Sequence, residues 1–205
     1  MSKLFFDIET LPADAANEPV VRKLYEKKLA QRTYERLGSY EDFLRRTSMD
    51  GGLGRIFCIG YALDDKPSEV LDGGDEKEIV RRFWQLAETA NLVIGHNVFD
   101  FDLPFIYQRS VVHQLKPSID LFPRRYSSDV VYDTYHEWTK WHREHKPGSL
   151  DYLAHILGLP SSKQGIDGSQ VYDYFLAGRG KEIADYCKRD VELTRQIYKR
   201  LTFSR

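Results

Sequence analysis

Two acidic residues interrupt an otherwise apolar segment near the start of the chain. Asp7 and Glu9 lie within Phe5–Leu11, a segment typical of a buried strand. Side chains of a strand alternate between its two faces, so both carboxylates are expected to point the same way. Burying two adjacent carboxylates is unfavourable unless they are protonated or a cation lies between them. The pair therefore favours a divalent-cation site, although a solvated strand edge or a helix cap could contain the same residues.

A third acid is expected where a strand leads into a helix. The segment after the predicted strand Leu92–Gly95 turns and enters a helix from about Asp102, with Pro104 in the first turn. Asp102 is a candidate metal ligand, but a carboxylate at a helix N-terminus also stabilises the helix itself. Asp100 is a rival for the chemical role, and the residues by themselves leave both open.

The last two candidates, Tyr186 and Asp190, lie one turn apart on a helix predicted from about Lys181 to Phe203 and so share a face. A neighbouring face is mostly apolar and would pack on the sheet; it comprises Ile183, Cys187, Val191, Thr194, Ile197 and Leu201. Tyr186 and Asp190 would then flank the buried side and could reach a site on the sheet. A tyrosine–aspartate pair on an exposed helix surface is the alternative.

The elements that must position these residues indicate an α/β protein with a mixed sheet flanked by helices. Strands are predicted at 3–9, 55–63, 68–72 and 92–95. Helices are predicted after Asn17, Ser39, Asp75, Asp102, Ser149, Asp167 and Gly180. The segment 11–54 is interpreted as a helical insertion between the first two strands. No repeat or linker is apparent, so 1–205 is predicted to form a single domain.

Composition narrows the function classes. A chain of 205 residues with 41% hydrophobic content can form one well-packed domain. A formal net charge of −1 argues against a protein that coats duplex DNA through bulk electrostatics. Two cysteines give neither a disulfide framework nor zinc-ligand spacing. Without a signal peptide or an apolar run of about 20 residues, the chain is expected to be soluble, cytoplasmic and not membrane-bound.

The ordered set of acids resembles a known family. Phe6-Asp7-Ile8-Glu9-Thr10, Asn97-x-x-x-Phe101-Asp102 and Tyr186-x-x-x-Asp190 are similar to the three motifs of DEDDy 3′–5′ exonucleases. The resemblance extends over nearly the whole chain to the proofreading exonuclease domain of family-B DNA polymerases and to stand-alone polymerase-B-like predicted exonucleases. It implies a ribonuclease H-like fold and places Asp102, not Asp100, at the catalytic position. No polymerase palm or fingers fit into 205 residues, so proofreading within this chain is not expected.

The resemblance also implies roles for the site residues. Two divalent cations, Mg²⁺ or Mn²⁺, would be held by Asp7, Glu9, Asp102 and Asp190, with Asp7 bridging them. Glu9 and Asp190 would complete the ion that binds the attacking water, and Asp102 would hold the other. Tyr186 would orient the water through its hydroxyl, with Glu9 assisting. The unperturbed pKa of tyrosine, about 10, favours positioning over general-base catalysis.

The implied substrate is the 3′ end of single-stranded nucleic acid, with DNA favoured. The backbone of Thr10 and Leu11 could contact the terminal nucleotide, Leu11 could pack on its base, and Asn97 could brace the second motif or contact the sugar. A base-stacking residue is possible among Phe99, Phe101, Phe105 and Tyr107, although Phe101 and Phe105 have core spacing. Basic runs that could guide the strand, or simply be solvated, are Arg22–Lys28, Arg124–Arg125 and Lys140–Lys146.

Two alternatives to a DNA exonuclease remain at this point. A ribonuclease that trims RNA 3′ ends could use the same scaffold, because contacts to the 2′-OH decide between DNA and RNA and the motifs do not reveal them. A nucleic-acid-binding module that has lost catalysis is the other. The sequence argues against this module, since all four acids and the tyrosine are present.

Overall fold

A mixed five-stranded sheet organises the protein. The structure is a computed structural model that describes residues 2–31, 38–122, 130–142, 146–163 and 165–204. The strands are β1 (Lys3–Leu11), β2 (Arg55–Leu63), β3 (Glu69–Leu71), β4 (Leu92–Gly95) and β5 (Val131–Asp133), in the order β3-β2-β1-β4-β5. β2 runs antiparallel to β1 and β3, whereas β4 runs parallel to β1 and β5. The predicted single-domain α/β class is confirmed.

Helices cover both faces of this sheet. Those in the described ranges are α1 (Glu18–Ala30), α2 (Tyr40–Arg46), α3 (Glu76–Thr89), α4 (Asp102–Val112), α5 (Thr134–Thr139), α6 (Leu150–Leu157), α7 (Val171–Leu176) and α8 (Gly180–Leu201). Ser39, Asp75 and Ser149 accept backbone hydrogen bonds as N-caps, as their sequence contexts predict. Among the described residues, no helix combines the length and apolar character needed to cross a membrane.

The two faces of β1 have different partners. Its even-numbered side chains join the apolar cluster formed with α3 and α4; they are Leu4, Phe6 and Ile8. On the opposite face Phe5 packs near Tyr198 of α8, and Leu11 packs near Ile183 of the same helix. Asp7 and Glu9 lie between Phe5 and Leu11 on this second face, because side chains alternate along a strand. The shared direction predicted for the two acids therefore brings both towards α8.

A glycine in β2 allows α8 to approach the sheet closely. Gly60 pairs with Asp7 across the β1–β2 ladder. A Cβ at Gly60 would lie 2.9 Å from Cys187 Sγ and 3.0 Å from the Cys187 carbonyl oxygen. Only a residue without a side chain fits this gap. Tyr186 and Asp190 consequently lie over the acids of β1.

β1 is longer than the sequence predicted. The predicted bounds were 3–9, although the sequence of Phe5–Leu11 is typical of a buried strand; in the structure Thr10 pairs with Ile56 and Leu11 with Arg55. The pairing continues because the register shifts between Glu9 and Thr10, and this irregularity absorbs one extra residue of β2. The inserted segment between the strands therefore starts after Leu11, and its described residues include α1 and α2.

The inserted segment is fastened to the end of β1. Ala13, Val21 and Phe43 form its small apolar core. The Ala13 backbone N–H donates to Thr47 Oγ1 at 2.8 Å. Thr10 Oγ1 donates to the Ser48 carbonyl oxygen at 2.8 Å. These bonds hold the residues around Ser48 beside the C-terminal part of β1.

The sequence analysis assigned no element between 113 and 148, yet β5 and α5 lie there. β5 has three residues, too few for a period-two pattern to be recognised. The available signal was Val130-Val131-Tyr132, a run of β-formers, followed by Asp133 as a capping residue for α5. Both elements matter because Asp133 also positions the loop after β4.

Arg109→Ala is expected to destabilise the protein by about 3 kcal/mol, since it breaks a largely buried ion pair with Glu76. Glu76 then keeps the Ile56 backbone N–H and His113 as partners. Arg109 Nε and one terminal nitrogen donate to the two carboxylate oxygens of Glu76 at 2.7 Å and 2.6 Å. The other terminal nitrogen donates to the Gly51 carbonyl oxygen at 3.2 Å. Urea unfolding measures the change, with the exposed pair variant Arg22→Ala as control. Equal stability of the two variants would contradict the prediction.

Candidate active site

The predicted catalytic residues meet in one cleft. A cavity of about 450 Å³ opens beside the C-terminal half of β1 and the loop after β4. Its lining includes every predicted site residue except Leu11: Asp7, Glu9, Thr10, Asn97, Asp102, Tyr186 and Asp190. Ser48 and Met49 of the inserted segment also line it. The insertion thus forms one wall of the cleft.

Asp7 and Glu9 form the floor of the cleft on β1. Burial raises the pKa of Asp7 well above its ordinary value, and the charges of Asp190, Asp102 and Glu9 raise it further. Burial also raises the pKa of Glu9, and Cys58, which pairs with Glu9 from β2, raises it further. Both shifts have the same origin, which is negative charge confined where water cannot screen it.

Asp102 enters from the opposite side of the cleft. It is the first residue of α4 and is 3% exposed. The Ile8 backbone N–H donates to Asp102 Oδ1 at 3.2 Å, which ties α4 to β1 between Asp7 and Glu9. Burial raises the pKa of Asp102 to about 8. The Asp102 carboxylate therefore faces inward and is not an exposed helix cap.

Asp100 has a different environment from Asp102. Its side chain is 64% exposed, and its Oδ2 lies 3.3 Å from His136 Nε2. Although Asp100 lines the outer part of the cleft, it has neither the burial nor the backbone anchor of Asp102. The geometry therefore favours Asp102 in the chemical role, in line with the alignment of the second motif.

Tyr186 and Asp190 complete the site from α8. They are 7% and 5% exposed, so the alternative of a solvated surface pair is wrong. Burial raises the pKa of Asp190. Burial raises the pKa of Tyr186 strongly, and the charge of Asp190 adds to this shift. The Tyr186 hydroxyl therefore keeps its proton throughout the neutral range and can donate a hydrogen bond.

Asp133, which sequence reasoning missed, positions the loop between β4 and α4. Its Oδ1 accepts the Asn97 N–H at 2.9 Å, and its Oδ2 accepts the Phe99 N–H at 3.1 Å. Asn97 is held at φ +59°, in the left-handed region that asparagine tolerates better than most residues. Asp133 thus fixes the path of the chain into Asp102. The available signals were its position at the end of the run Val130-Val131-Tyr132 and its capping residue type.

Two further residues bring different chemistry to the site. Cys187, assigned from the sequence to the apolar face of α8, has its Sγ 3.7 Å from Asp7 Oδ2. Lys163 lines an adjoining cavity of about 340 Å³ together with Tyr186 and Asp190. Cys187 lies within the third motif, Tyr186-Cys187-x-x-Asp190, but sequence analysis assigned it no role beyond the apolar face. No spacing pattern connected Lys163 with the motifs, because tertiary packing brings it there.

The structure changes the role available to Leu11. Its side chain is 1% exposed and packs with Cys58 and Ile183. The predicted packing of a base on this side chain does not fit, because the side chain faces the core. Only the Leu11 backbone remains for a nucleotide contact, whereas Thr10 lines the cleft.

The proposed stacking residues separate into distinct environments. Phe105 is 2% exposed and belongs to the core, whereas Phe101 lines the cleft. Phe99 packs against Trp141 with ring centroids 5.4 Å apart. Tyr107 contacts Phe122 beside another cavity. Among the basic runs, 124–125 and 143–145 lie outside the described residues, and strand guidance by Arg22–Lys28 stays a prediction.

The donor set of the cleft fits hard divalent cations. Four carboxylates converge there, and oxygen ligands are those that Mg²⁺ and Mn²⁺ prefer. Asp190 Oδ1 is buried without a hydrogen-bond partner. A buried carboxylate oxygen with no donor is unfavourable unless a cation contacts it. Asp7, Glu9, Asp102 and Asp190 are therefore the residues that could hold metal ions.

The metal-free protein is expected to lose stability as the pH rises. The pKa values of these acids are raised in the folded state, so the folded protein retains protons that the unfolded chain has released. Stability then falls from about pH 4, where free carboxyls ionise, towards the pKa of about 8 of Asp102. Mn²⁺ should stabilise the protein increasingly over the same range, because it binds the deprotonated acids.

Thermal unfolding at several pH values, with EDTA or with Mn²⁺, measures this effect. The control is Asp102→Asn, which should flatten the upper part of the metal-free profile. A melting temperature that rises with pH in EDTA would contradict the electrostatic description of the cleft.

Comparison with known proteins assigns the chain to a family. Residues 61–205 match the model of a family described as a predicted 3′–5′ exonuclease related to the exonuclease domain of PolB. The chain belongs to this family. The part of the chain that matches the PolB-related exonuclease family includes Asp102, Tyr186 and Asp190. Asp7 and Glu9 lie before the matched range.

Two individual proteins are similar to this chain. An uncharacterized protein of Methanocaldococcus jannaschii is 30% identical in a 156-residue alignment that covers 71% of this chain and 84% of that protein. The family B DNA polymerase of Pyrobaculum calidifontis superimposes with a TM-score of 0.68 at 20% identity. The match covers 98% of this chain and 24% of the polymerase chain, so the protein corresponds to about a quarter of that polymerase. The structural match shows a shared, ribonuclease H-like fold.

Proposed function

We propose that the protein is a metal-dependent exonuclease that hydrolyses single-stranded nucleic acid from its 3′ end. The observation that carries this proposal is the convergence of Asp7, Glu9, Asp102 and Asp190 around one cleft, with Tyr186 beside them. Membership of the PolB-related exonuclease family supports the reaction class. The two-ion chemistry, the strand preference for DNA and a cytoplasmic location belong to the proposal.

The role proposed for each site residue follows from its position in the cleft. When bound, two Mg²⁺ or Mn²⁺ ions would lower the pKa of a water and stabilise charge on the phosphate and the leaving 3′ oxygen. Asp7, at the centre of the cluster, would bind both ions. Glu9 and Asp190 would bind one of them from β1 and α8, and Asp102 would bind the other from α4. The four acids would thus hold the ions from three separate elements, β1, α4 and α8.

The cleft walls would position the terminal nucleotide. Thr10 and Asn97 both line the cleft and would offer polar groups to the sugar and the phosphate. Phe101 is the predicted aromatic residue that lines the same space and could contact the base. Lys163, in the adjoining cavity, is the cation placed to attract the phosphate backbone despite the acidic floor. The inserted segment contributes Met49 to the rim.

Tyr186→Phe is expected to lower kcat by about 100-fold, which is typical for loss of one hydrogen-bond donor in an active site. Because the pKa of Tyr186 is raised, its hydroxyl orients the attacking water as a donor and does not remove a proton. The alkaline limb of the pH–rate profile should therefore stay unchanged. Tyr198→Phe is the matched control, since Tyr198 is equally buried on α8 but packs against Phe5. A shifted alkaline limb would contradict this role.

The proposal is tested with matched DNA and RNA oligonucleotides labelled at the 5′ end, incubated with Mn²⁺ or Mg²⁺. Progressive shortening of labelled DNA that EDTA abolishes is the expected result. Faster shortening of the RNA would favour the ribonuclease alternative, since contacts to the 2′-OH decide that preference. Binding of both strands without shortening in either metal would overturn the proposal and favour the inactive binding module.

A further inference from the structure

A thiol forms part of the wall of the acidic cluster and has no role in the proposed hydrolysis. Cys187 Sγ lies 3.5 Å from the Asp7 carbonyl oxygen and 3.7 Å from Asp7 Oδ2. One ligand atom from each of Asp7, Glu9 and Cys187 lies within 4.8 Å of the other two. The cluster therefore offers a mixed oxygen and sulphur donor set in addition to its carboxylates.

The distance between Asp7 Oδ2 and Cys187 Sγ is close to the distance expected between two ligands of a tetrahedral ion. With a zinc–sulphur bond of about 2.3 Å and a zinc–oxygen bond of about 2.1 Å, the two ligand atoms lie roughly 3.6 Å apart. The observed separation of Asp7 Oδ2 and Cys187 Sγ is 3.7 Å. Thiolate ligands select soft or borderline cations, whereas Mg²⁺ and Mn²⁺ prefer oxygen. The carboxylates of the cluster thus suit hard cations, and the Cys187 sulphur suits soft or borderline cations.

A backbone hydrogen bond fixes the position of the Cys187 sulphur. The Gly60 backbone N–H donates to Cys187 Sγ at 3.1 Å. The position of Gly60 on β2 makes this contact part of the sheet and not a mobile loop. Burial raises the pKa of the Cys187 thiol, and Cys58, Asp7 and Glu9 raise it further. A cation must therefore displace the thiol proton to bind the sulphur.

An independent observation points to a cation in the same place. Asp190 is 5% exposed, and its Oδ1 is buried without a hydrogen-bond partner. The Asp190 carboxylate is hydrogen-bonded to Ser162 and Tyr186, so the unpartnered atom is this one oxygen. Among neighbouring charges, Asp190 has the largest effect on the pKa of Asp7, so it acts on the same cluster. It is available as a further ligand.

We propose that Asp7, Glu9 and Cys187 form a binding site for a thiophilic divalent cation such as Zn²⁺ or Cd²⁺. Binding forms a metal–sulphur bond, and the thiol proton is released to solvent. Asp7 and Glu9 would also hold Mg²⁺ or Mn²⁺, so a bound thiophilic cation excludes these ions and inhibits hydrolysis. The cation site stands by itself, and only this inhibition rests on the proposed function.

The test is a Cd²⁺ titration followed by the ultraviolet charge-transfer absorption of the cadmium–thiolate bond. Wild type is compared with Cys187→Ser and with Cys58→Ser, which changes the other buried thiol beside Glu9. The band should appear in wild type and in Cys58→Ser and be absent from Cys187→Ser. Affinity should fall by about 10–100-fold or more in Cys187→Ser, a loss typical even of outer-shell partners of a metal.

Two outcomes would overturn the proposal: no band in wild type, or an undiminished band in Cys187→Ser. If Cys187→Ser does not fold, the NMR resonance of bound cadmium in wild type reports sulphur ligation directly. A resonance typical of oxygen ligands only would then overturn it.

Nuclease assays separate this proposal from the proposed function. Cd²⁺ should inhibit Mn²⁺-supported hydrolysis in wild type at concentrations that leave Cys187→Ser active. A charge-transfer band in a protein without nuclease activity would support the cation site and contradict the exonuclease. Nuclease activity without a band would contradict the cation site and leave the exonuclease intact.

Discussion

Asp7→Asn is expected to lower the rate of hydrolysis by at least about 10³-fold, because it removes the ligand shared by both ions. Metal ions contribute several kcal/mol to the stabilisation of a charged transition state, and the neutral amide is a poor ligand for either ion. Asp7 is also the acid whose pKa is raised by all three of the others. No other single substitution in the cleft should have a larger effect.

The same substitution should stabilise the metal-free protein. As the pH rises, the acids of the cluster lose their protons and their buried charges repel one another, and Asp7→Asn removes the acid on which the other three act. The melting temperature in EDTA should therefore rise relative to wild type, whereas the stabilisation by Mn²⁺ should diminish.

Rates on a labelled oligonucleotide and melting temperatures with EDTA or Mn²⁺ measure both changes in one set of proteins. Asp72→Asn, at an exposed position outside the cleft, is the control and should change neither quantity. A variant that is inactive and also less stable in EDTA would indicate that Asp7 is a structural residue, contrary to the account.

Asp102→Asn should lower the rate of hydrolysis nearly as much as Asp7→Asn does. Asp100→Asn should leave the rate close to that of wild type. The two acids are neighbours in sequence, but Asp102 is 3% exposed and accepts the Ile8 N–H. Asp100 is largely solvated and pairs with His136. A buried ligand of one ion is expected to contribute at least about 10³-fold, and an exposed rim charge contributes little.

This pair of variants needs three measurements: hydrolysis rate, Mn²⁺ affinity and unfolding free energy. Loss of Mn²⁺ affinity in Asp102→Asn with retained folding would assign the residue to the metal site. Equal rates for the two variants, or greater loss in Asp100→Asn, would show that the outer acid has the chemical role and that the alignment of the second motif is shifted.

The sequence predicted most of the fold because the long elements carry strong patterns. β1, β2 and β4 read as apolar strands, and α3 and α8 have clear apolar faces, so each was found within a few residues of its bounds. The approach of Asp7 and Glu9 to α8 followed from the strand period and from the i, i+4 spacing of Tyr186 and Asp190.

What the sequence did not predict depends on tertiary contacts. β5 is too short to show a period, so the role of Asp133 in bracing Asn97 was not foreseen. The burial of Leu11 follows from an extension of β1 through an irregular register with β2. Cys187 looked like an ordinary core residue until the contact with Asp7 placed it in the site.

The most direct test of the account is mass spectrometry of the first products formed from a single-stranded oligonucleotide with Mn²⁺. Hydrolysis with the 3′ oxygen as leaving group predicts a nucleoside 5′-monophosphate and a strand shorter by one residue that ends in a 3′-hydroxyl. Both products should be absent with EDTA and with Asp7→Asn. Internal fragments, strands ending in a 3′-phosphate, or an unchanged oligonucleotide despite bound Mn²⁺ would contradict it.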